Sequence, residues 1–196
     1  WILSYAIGKI DNGYLGIPYS EFLVLQLIAV LFFAAMVPVS GALADRFGRR
    51  PVLMIITLAI ILFGLSFGYF LDPATMGTGS GANSGLMLLF LSIGMALMGL
   101  TFGPMSAILP ELFPTNVRYT GSGVSYNLSS IFGAALTPFA AVWLTREFGV
   151  GYVGYYLSVL ACFTLLSLIL TRETRHLDLD TLEERMATAA VESTSP

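Results

Sequence analysis

Three acids and five arginines recur where long apolar stretches end. Asp45 stands beside Arg46, Arg49 and Arg50, Glu111 is followed by Arg118, and Glu173 by Arg175. A carboxylate in reach of a guanidinium makes charge-assisted hydrogen bonds. One exposed pair contributes only about 0–1 kcal/mol, so several must act together to matter. Two readings follow. The charges form a network that is made in one conformation and loosened in another, or the basic turns simply anchor the chain to one side of a bilayer.

Other reactive chemistry is sparse. The one histidine, His176, lies beyond the last apolar stretch, and the one cysteine, Cys162, lies inside another. An intrachain disulfide and a cysteine-based metal site are therefore excluded, and no metal or cofactor is expected. The run Gly77-Thr78-Gly79-Ser80-Gly81-Ala82 satisfies G-x-G-x-x-A. It lies between apolar stretches with no βα unit, so the dinucleotide reading fails its context. With H-E-x-x-H also absent, an enzyme is not expected. A net charge of −3 leaves no nucleic-acid footprint.

Polar groups inside the apolar stretches are the remaining candidates. Ser122, Tyr126, Ser129, Gly133 and Thr137 recur at spacings of 4, 3, 4 and 4, one face of a helix. Gly123, Asn127, Ser130, Ala134 and Pro138 form an adjoining stripe. Polar groups in hydrocarbon face protein or a watery cavity, so the Tyr126 and Asn127 region is expected to line a substrate path, with Ser122 and Ser129 near it. Packing by small residues is the competing account of the Ser and Gly positions. Gln26 is an isolated polar group and a weaker cavity candidate. Phe102, beside Gly103-Pro104, either shapes the cavity or marks a kink. Gly64 with Gly68, and Gly99 with Gly103, are GxxxG pairs that close helix packing explains.

The elements that position these groups must be membrane helices. Of 196 residues, 56% are hydrophobic and 11% charged, with mean hydropathy +0.82; soluble domains carry roughly 25% charged residues. Five stretches, approximately Phe22 to Leu43, Val52 to Leu71, Gly85 to Leu109, Thr120 to Leu144 and Val150 to Leu170, each reach the roughly 20 residues that cross about 30 Å of hydrocarbon. None shows the alternation of barrel strands, and backbone groups in lipid must be satisfied within the segment. The fold class is therefore all-α, a polytopic membrane bundle. Trp1 to Gly8 reads as the outer end of a sixth, partial helix.

Arg46, Arg49, Arg50, Arg118, Arg172, Arg175 and Arg185 fall on one predicted side, against Lys9 and Arg146 on the other. The positive-inside rule then places the C-terminus in the cytosol. The outer link Asp72 to Ser84 is expected to be flexible and mobile. Residues 1–175 form the transmembrane unit and residues 176–196 a cytoplasmic tail, partly disordered. Trp1 opens in apolar residues without a basic n-region or cleavage site, so it begins no signal peptide, and the chain is expected to be a fragment cut within or just after a membrane helix.

Three motifs carry a family resemblance. Gly41-Ala42-Leu43-Ala44-Asp45-Arg46-Phe47-Gly48-Arg49-Arg50 resembles the G-x-L-a-D-r-x-G-r-[RK] signature of the major facilitator superfamily, in the position of its second copy. Glu111-Leu112-Phe113-Pro114-Thr115-Asn116-Val117-Arg118-Tyr119-Thr120-Gly121 resembles the E-x-F-P-x-x-x-R-x-x-G junction two spans later. Arg172-Glu173-Thr174-Arg175 resembles the E-T-[KR] element after the final helix. Gly103 to Phe139 is most similar to the metabolite:proton symporters, which include shikimate, 2-oxoglutarate, proline and betaine carriers; sugar porters are the nearer competitor.

The resemblance implies the C-terminal six-helix half of a transporter whose two halves rock around a site near the bilayer midplane. It further implies a secondary active transporter of a small polar metabolite, an organic acid or a zwitterion, by proton symport in a bacterial plasma (inner) membrane. Partners implied are the lipid bilayer, the substrate, protons and the N-terminal half. No carboxylate or histidine lies mid-span, so a proton-titrating group would belong to that other half. The alternatives are a sugar-porter-like facilitator, a half-size membrane protein that dimerises without independent transport, and a nontransporting receptor of transporter descent.

Overall fold

A computed structural model describes residues 1–10, 14–111, 113 and 117–170. Among these described residues the α-helical segments are α1 (Ile2–Ile7), α2 (Tyr19–Phe47), α3 (Arg49–Leu65), α4 (Phe67–Leu71), α5 (Pro73–Met76), α6 (Ser84–Glu111), α7 (Arg118–Ser130), α8 (Leu136–Glu147) and α9 (Val150–Leu170). A π-helical turn, Ile131–Ala135, joins α7 to α8. Among the described residues, four continuous helices are long and apolar enough to cross a membrane: α2, α6, the α7–α8 unit and α9.

The second expected span is broken. Its α3 part is 17 residues long and its α4 continuation 5. Ser66 marks the break: its hydroxyl donates to the Phe63 carbonyl at 2.6 Å, and its N–H is shared between the Leu62 carbonyl of the α-helical ladder at 3.2 Å and the Phe63 carbonyl at 3.1 Å. Such local side-chain bonding competes with helix geometry.

Two close-packed helix pairs organise the bundle. Along α2 and α6 a methyl built on Gly99 would lie 2.5 Å from the Phe33 carbonyl oxygen, and one on Gly103 would lie 2.8 Å from that of Val37. The fully buried Ser40 donates to Val37 at 2.8 Å, with the Gly99 carbonyl at 3.4 Å. Along α3 and α9, Gly64 abuts Gly154, and the Ser158 hydroxyl lies 3.0 Å from the Ile61 carbonyl. Small residues and interhelical hydrogen bonds are how membrane helices associate when burial against lipid gains nothing. Leu23, Leu27 and Leu31 on α2, and Val159, Phe163 and Leu166 on α9, point outward as exposed stripes.

The helix directions follow from their ends. Glu21, in the first turn of α2, accepts a hydrogen bond from Ser84 at the start of α6. The two helices thus run parallel, and the α2–α3 turn shares an end of the bundle with the α6–α7 junction. Arg50 reaches the C-terminus of α9 at that same end.

The expected flexible link between Asp72 and Ser84 is instead folded. Asp72 caps α5 by accepting from the Ala74 N–H at 2.8 Å, and Met76 is buried. Gly79 N–H bonds the Leu15 carbonyl at 2.7 Å, and Asn83 N–H bonds that of Met76 at 2.7 Å. Composition alone missed these caps and the chain segment they grip. Leu15 and Ile17 in turn bond the carbonyls of Tyr5 and Ala6, which fixes the short α1 against the bundle.

Candidate functional site

A cavity of about 580 Å³ opens where α2, α3, α4, α6, α8 and α9 converge with α1. Its floor is aromatic. Phe63 and Phe90 stack with centroids 5.0 Å apart, and Phe67 meets Phe90 edge-on at 5.0 Å. Gln26, Thr137 and Tyr156 supply polar groups to this wall, and none makes a side-chain hydrogen bond among the described residues. A mostly apolar concavity with a few unpartnered polar groups is the usual form of a small-molecule site.

The π turn decides which side chains reach the cavity. Gly133, Ala134, Thr137 and Pro138 line it. One extra residue in the turn shifts the helix phase by about 100°, so the stripe through Ser122, Tyr126 and Ser129 does not continue into Gly133 and Thr137. Ser122 and Asn127 line a separate shallow groove along α7 and bond their own helix, to Arg118 and Gly123 carbonyls at 2.7 and 2.8 Å. Tyr126 is 55% exposed and Ser129 is exposed, and both lie outside the cavity and the groove. Phe102 packs edge-on against Phe33 at 5.7 Å, also away from the cavity. Of the substrate-path candidates, Gln26 is the one on the cavity wall. Sequence reasoning missed Tyr156, whose segment Tyr152-Val153-Gly154-Tyr155-Tyr156 reads as an interfacial aromatic cluster.

Among the described residues, the arginine-bearing motifs make the following contacts. Gly48 closes α2 and opens α3 at φ 96°, a conformation that favours glycine. A methyl on Gly41 would meet nothing within 4 Å; its backbone N–H is what faces Gly103. Arg50 donates from Nε to the Leu168 carbonyl at 2.8 Å and from Nη2 to that of Ile169 at 2.7 Å. A guanidinium there satisfies terminal carbonyls and complements the helix dipole. Arg46 lies over the Phe47 ring at 5.4 Å. Asp45 is exposed and has no ion pair among the described residues. Arg49 does have an interaction.

In the second motif the Phe113 ring covers Gly121, where a methyl would lie 2.8 Å from the Phe113 Cγ, and Arg118 Nε points to the Phe113 carbonyl at 3.4 Å. The aromatic, basic and glycine positions therefore meet in one turn. Glu111 ends α6; its side chain, Glu173 and Arg175 lie outside the described residues, as does the tail from 176.

The family model described as sugar (and other) transporter matches residues 4–186. The chain belongs to this transporter family. The sugar (and other) transporter family is a major facilitator family, not an enzyme family. The inner membrane metabolite transport protein YhjE of Escherichia coli (strain K12) is 52% identical over 83% of this chain and 35% of its own length. A metabolite transport protein of Haemophilus influenzae is 43% identical over 90% of this chain and 37% of its own. The glycine betaine/proline/ectoine/pipecolic acid transporter OusA of Dickeya dadantii (strain 3937) is 35% identical over 77% of this chain and 29% of its own. The chain spans about a third of the length of these curated relatives. No solved structure matches it.

Proposed function

We propose that this chain is the C-terminal half of a secondary active transporter that moves a small polar metabolite, an organic acid or a zwitterion, by alternating access and proton symport. The observation that carries the reading is the 580 Å³ cavity with Gln26, Thr137 and Tyr156 unpartnered on an otherwise apolar wall. Such groups orient a polar solute by hydrogen bonds that water would otherwise make, while the phenylalanines exclude bulk solvent. The functions of the relatives, metabolite transport and glycine betaine/proline/ectoine/pipecolic acid transport, support the substrate class. The host membrane is a bacterial inner membrane, as for the Escherichia coli relative, with the arginine-bearing turns and the C-terminus in the cytosol.

The inner-face residues Gly41, Asp45, Arg46, Gly48, Arg49, Arg50, Glu111, Arg118, Glu173 and Arg175 form the gating region in this reading, and Tyr126, Asn127, Ser122, Ser129 and Phe102 stay substrate-path candidates beside Gln26. They would act in a conformation that turns α7 towards the N-terminal half.

The test is uptake into vesicles carrying the full-length protein. Radiolabelled proline, glycine betaine, 2-oxoglutarate and glucose are offered with and without an imposed proton gradient. Gradient-driven uptake of an acid or zwitterion, lowered by Gln26→Leu, is the expected result. Glucose uptake insensitive to the gradient would favour the sugar-porter-like facilitator, and uptake of none would sink the proposal.

A further inference from the structure

A second, larger cavity of about 800 Å³ lies at the opposite end of the bundle from the arginine-bearing turns. Asp72 and Arg146 both line it, yet they form no ion pair with each other. One Asp72 oxygen caps α5 through the Ala74 N–H at 2.8 Å, and Arg146 lines the cavity together with Tyr14. Opposite charges that share a cavity but stay apart create a field with two defined ends.

The other lining residues of this cavity suit a cation next to an anion. Tyr152 and Tyr155 meet edge-on with centroids 5.6 Å apart, and both line the cavity beside Thr145. Ring faces attract ammonium groups, and a guanidinium suits a carboxylate or phosphate. The close approach of Gly68 and Gly151, where a methyl would lie 3.5 Å from the facing backbone, keeps the cavity floor free of side chains. We infer that this mouth is a second binding site, separate from the central cavity, for a small zwitterion whose cationic end faces Asp72 and the tyrosines and whose anionic end faces Arg146.

The same chemistry is offered by a free solute and by a zwitterionic phospholipid headgroup, and the experiment separates them. The inference stands apart from the transport reading, because none of its charged or tyrosine groups lines the central cavity. Full-length protein is placed in nanodiscs of phosphatidylglycerol alone, and equilibrium binding of radiolabelled glycine betaine is compared with that of tetramethylammonium and acetate. Asp72→Asn removes the charge while asparagine keeps the helix cap. Arg146→Gln removes the other charge.

Each substitution should weaken binding of the zwitterion by roughly threefold to tenfold, the scale of one partly screened charge contact. Asp72→Asn should leave acetate binding unchanged, and Arg146→Gln should leave tetramethylammonium binding unchanged. Gln26→Leu, in the central cavity, should leave this component intact. Competition by added phosphatidylethanolamine would assign the site to a lipid headgroup, and its failure to compete would assign it to a free solute. Binding in which both charge variants match the original protein, or a loss equal for all three probes, would overturn the site.

Discussion

Gly64 and Gly154 meet backbone to backbone: a methyl on Gly64 would lie 2.7 Å from the Gly154 carbonyl oxygen. Gly64→Leu must therefore push α3 away from α9, and overpacking of this kind costs about 1–3 kcal/mol. Gly123→Ala is the matched control, since a methyl there meets nothing within 4 Å. Thermal unfolding in detergent should show a lowered midpoint for Gly64→Leu and none for Gly123→Ala. Equal midpoints would mean that α3 and α9 do not pack through their glycines.

Arg50 is expected to hold the end of α9 rather than to pair with an acid. Its two hydrogen bonds, at 2.8 and 2.7 Å, both end on backbone carbonyls. A hydrogen bond from a charged donor contributes about 1.5–3 kcal/mol when well desolvated, and partial exposure here reduces that. Arg50→Ala should speed amide hydrogen exchange in the last turns of α9, with Arg50→Lys intermediate because lysine lacks the planar fork. Asp45→Asn should leave that exchange unchanged. If Asp45→Asn instead reproduced the Arg50→Ala pattern, the carboxylate and not the helix end would be the partner that matters.

The cavity wall yields a prediction that separates binding from folding. Gln26, Thr137 and Tyr156 make no side-chain hydrogen bond to the described protein, so removing them leaves no broken protein contact behind. Thr137→Val and Tyr156→Phe are expected to change stability by less than about 0.5 kcal/mol, read as a nearly unchanged thermal midpoint. Each should weaken substrate binding by about fivefold, near one net hydrogen bond. A fall in stability with unchanged binding would assign these groups to structure.

Much of the bundle was legible because lipid imposes one rule on every span: apolar side chains outside and a satisfied backbone within. The stretches from Phe22, Gly85 and Val150 begin and end within a few residues of their helices, and the GxxxG pairs at Gly64 and Gly99 are close-packed as their spacing implies. The break at Ser66 was not legible, since serine in an apolar run reads as ordinary helix until its hydroxyl takes the Phe63 carbonyl. The π turn hid the site for a related reason. Periodicity counts residues at a constant 100°, and one turn of wider pitch re-aims everything beyond Ile131. Gln26, which lines the candidate cavity, stands out in the sequence as a lone amide in hydrocarbon. Tyr156 was lost among neighbouring tyrosines.

The arrangement of ends makes a prediction about topology that needs no substrate. Glu21 on Ser84 fixes α2 and α6 as parallel, and Arg50 on Leu168 brings the end of α9 to the α2–α3 turn. Arg46 and Tyr119, both exposed, must then emerge on one face of the membrane, and Lys9 and Glu147 on the other. Cys162 is exposed, so it is first changed to serine, after which single cysteines are placed at those four positions in the full-length protein. A membrane-impermeant maleimide applied to intact cells should label Lys9→Cys and Glu147→Cys. Arg46→Cys and Tyr119→Cys should react only after the cells are opened, as the positive-inside rule predicts for the face that carries the clustered arginines. Labelling of Arg46→Cys and Tyr119→Cys from opposite sides would contradict the parallel packing itself. Labelling of both from outside would keep the packing and reverse the orientation.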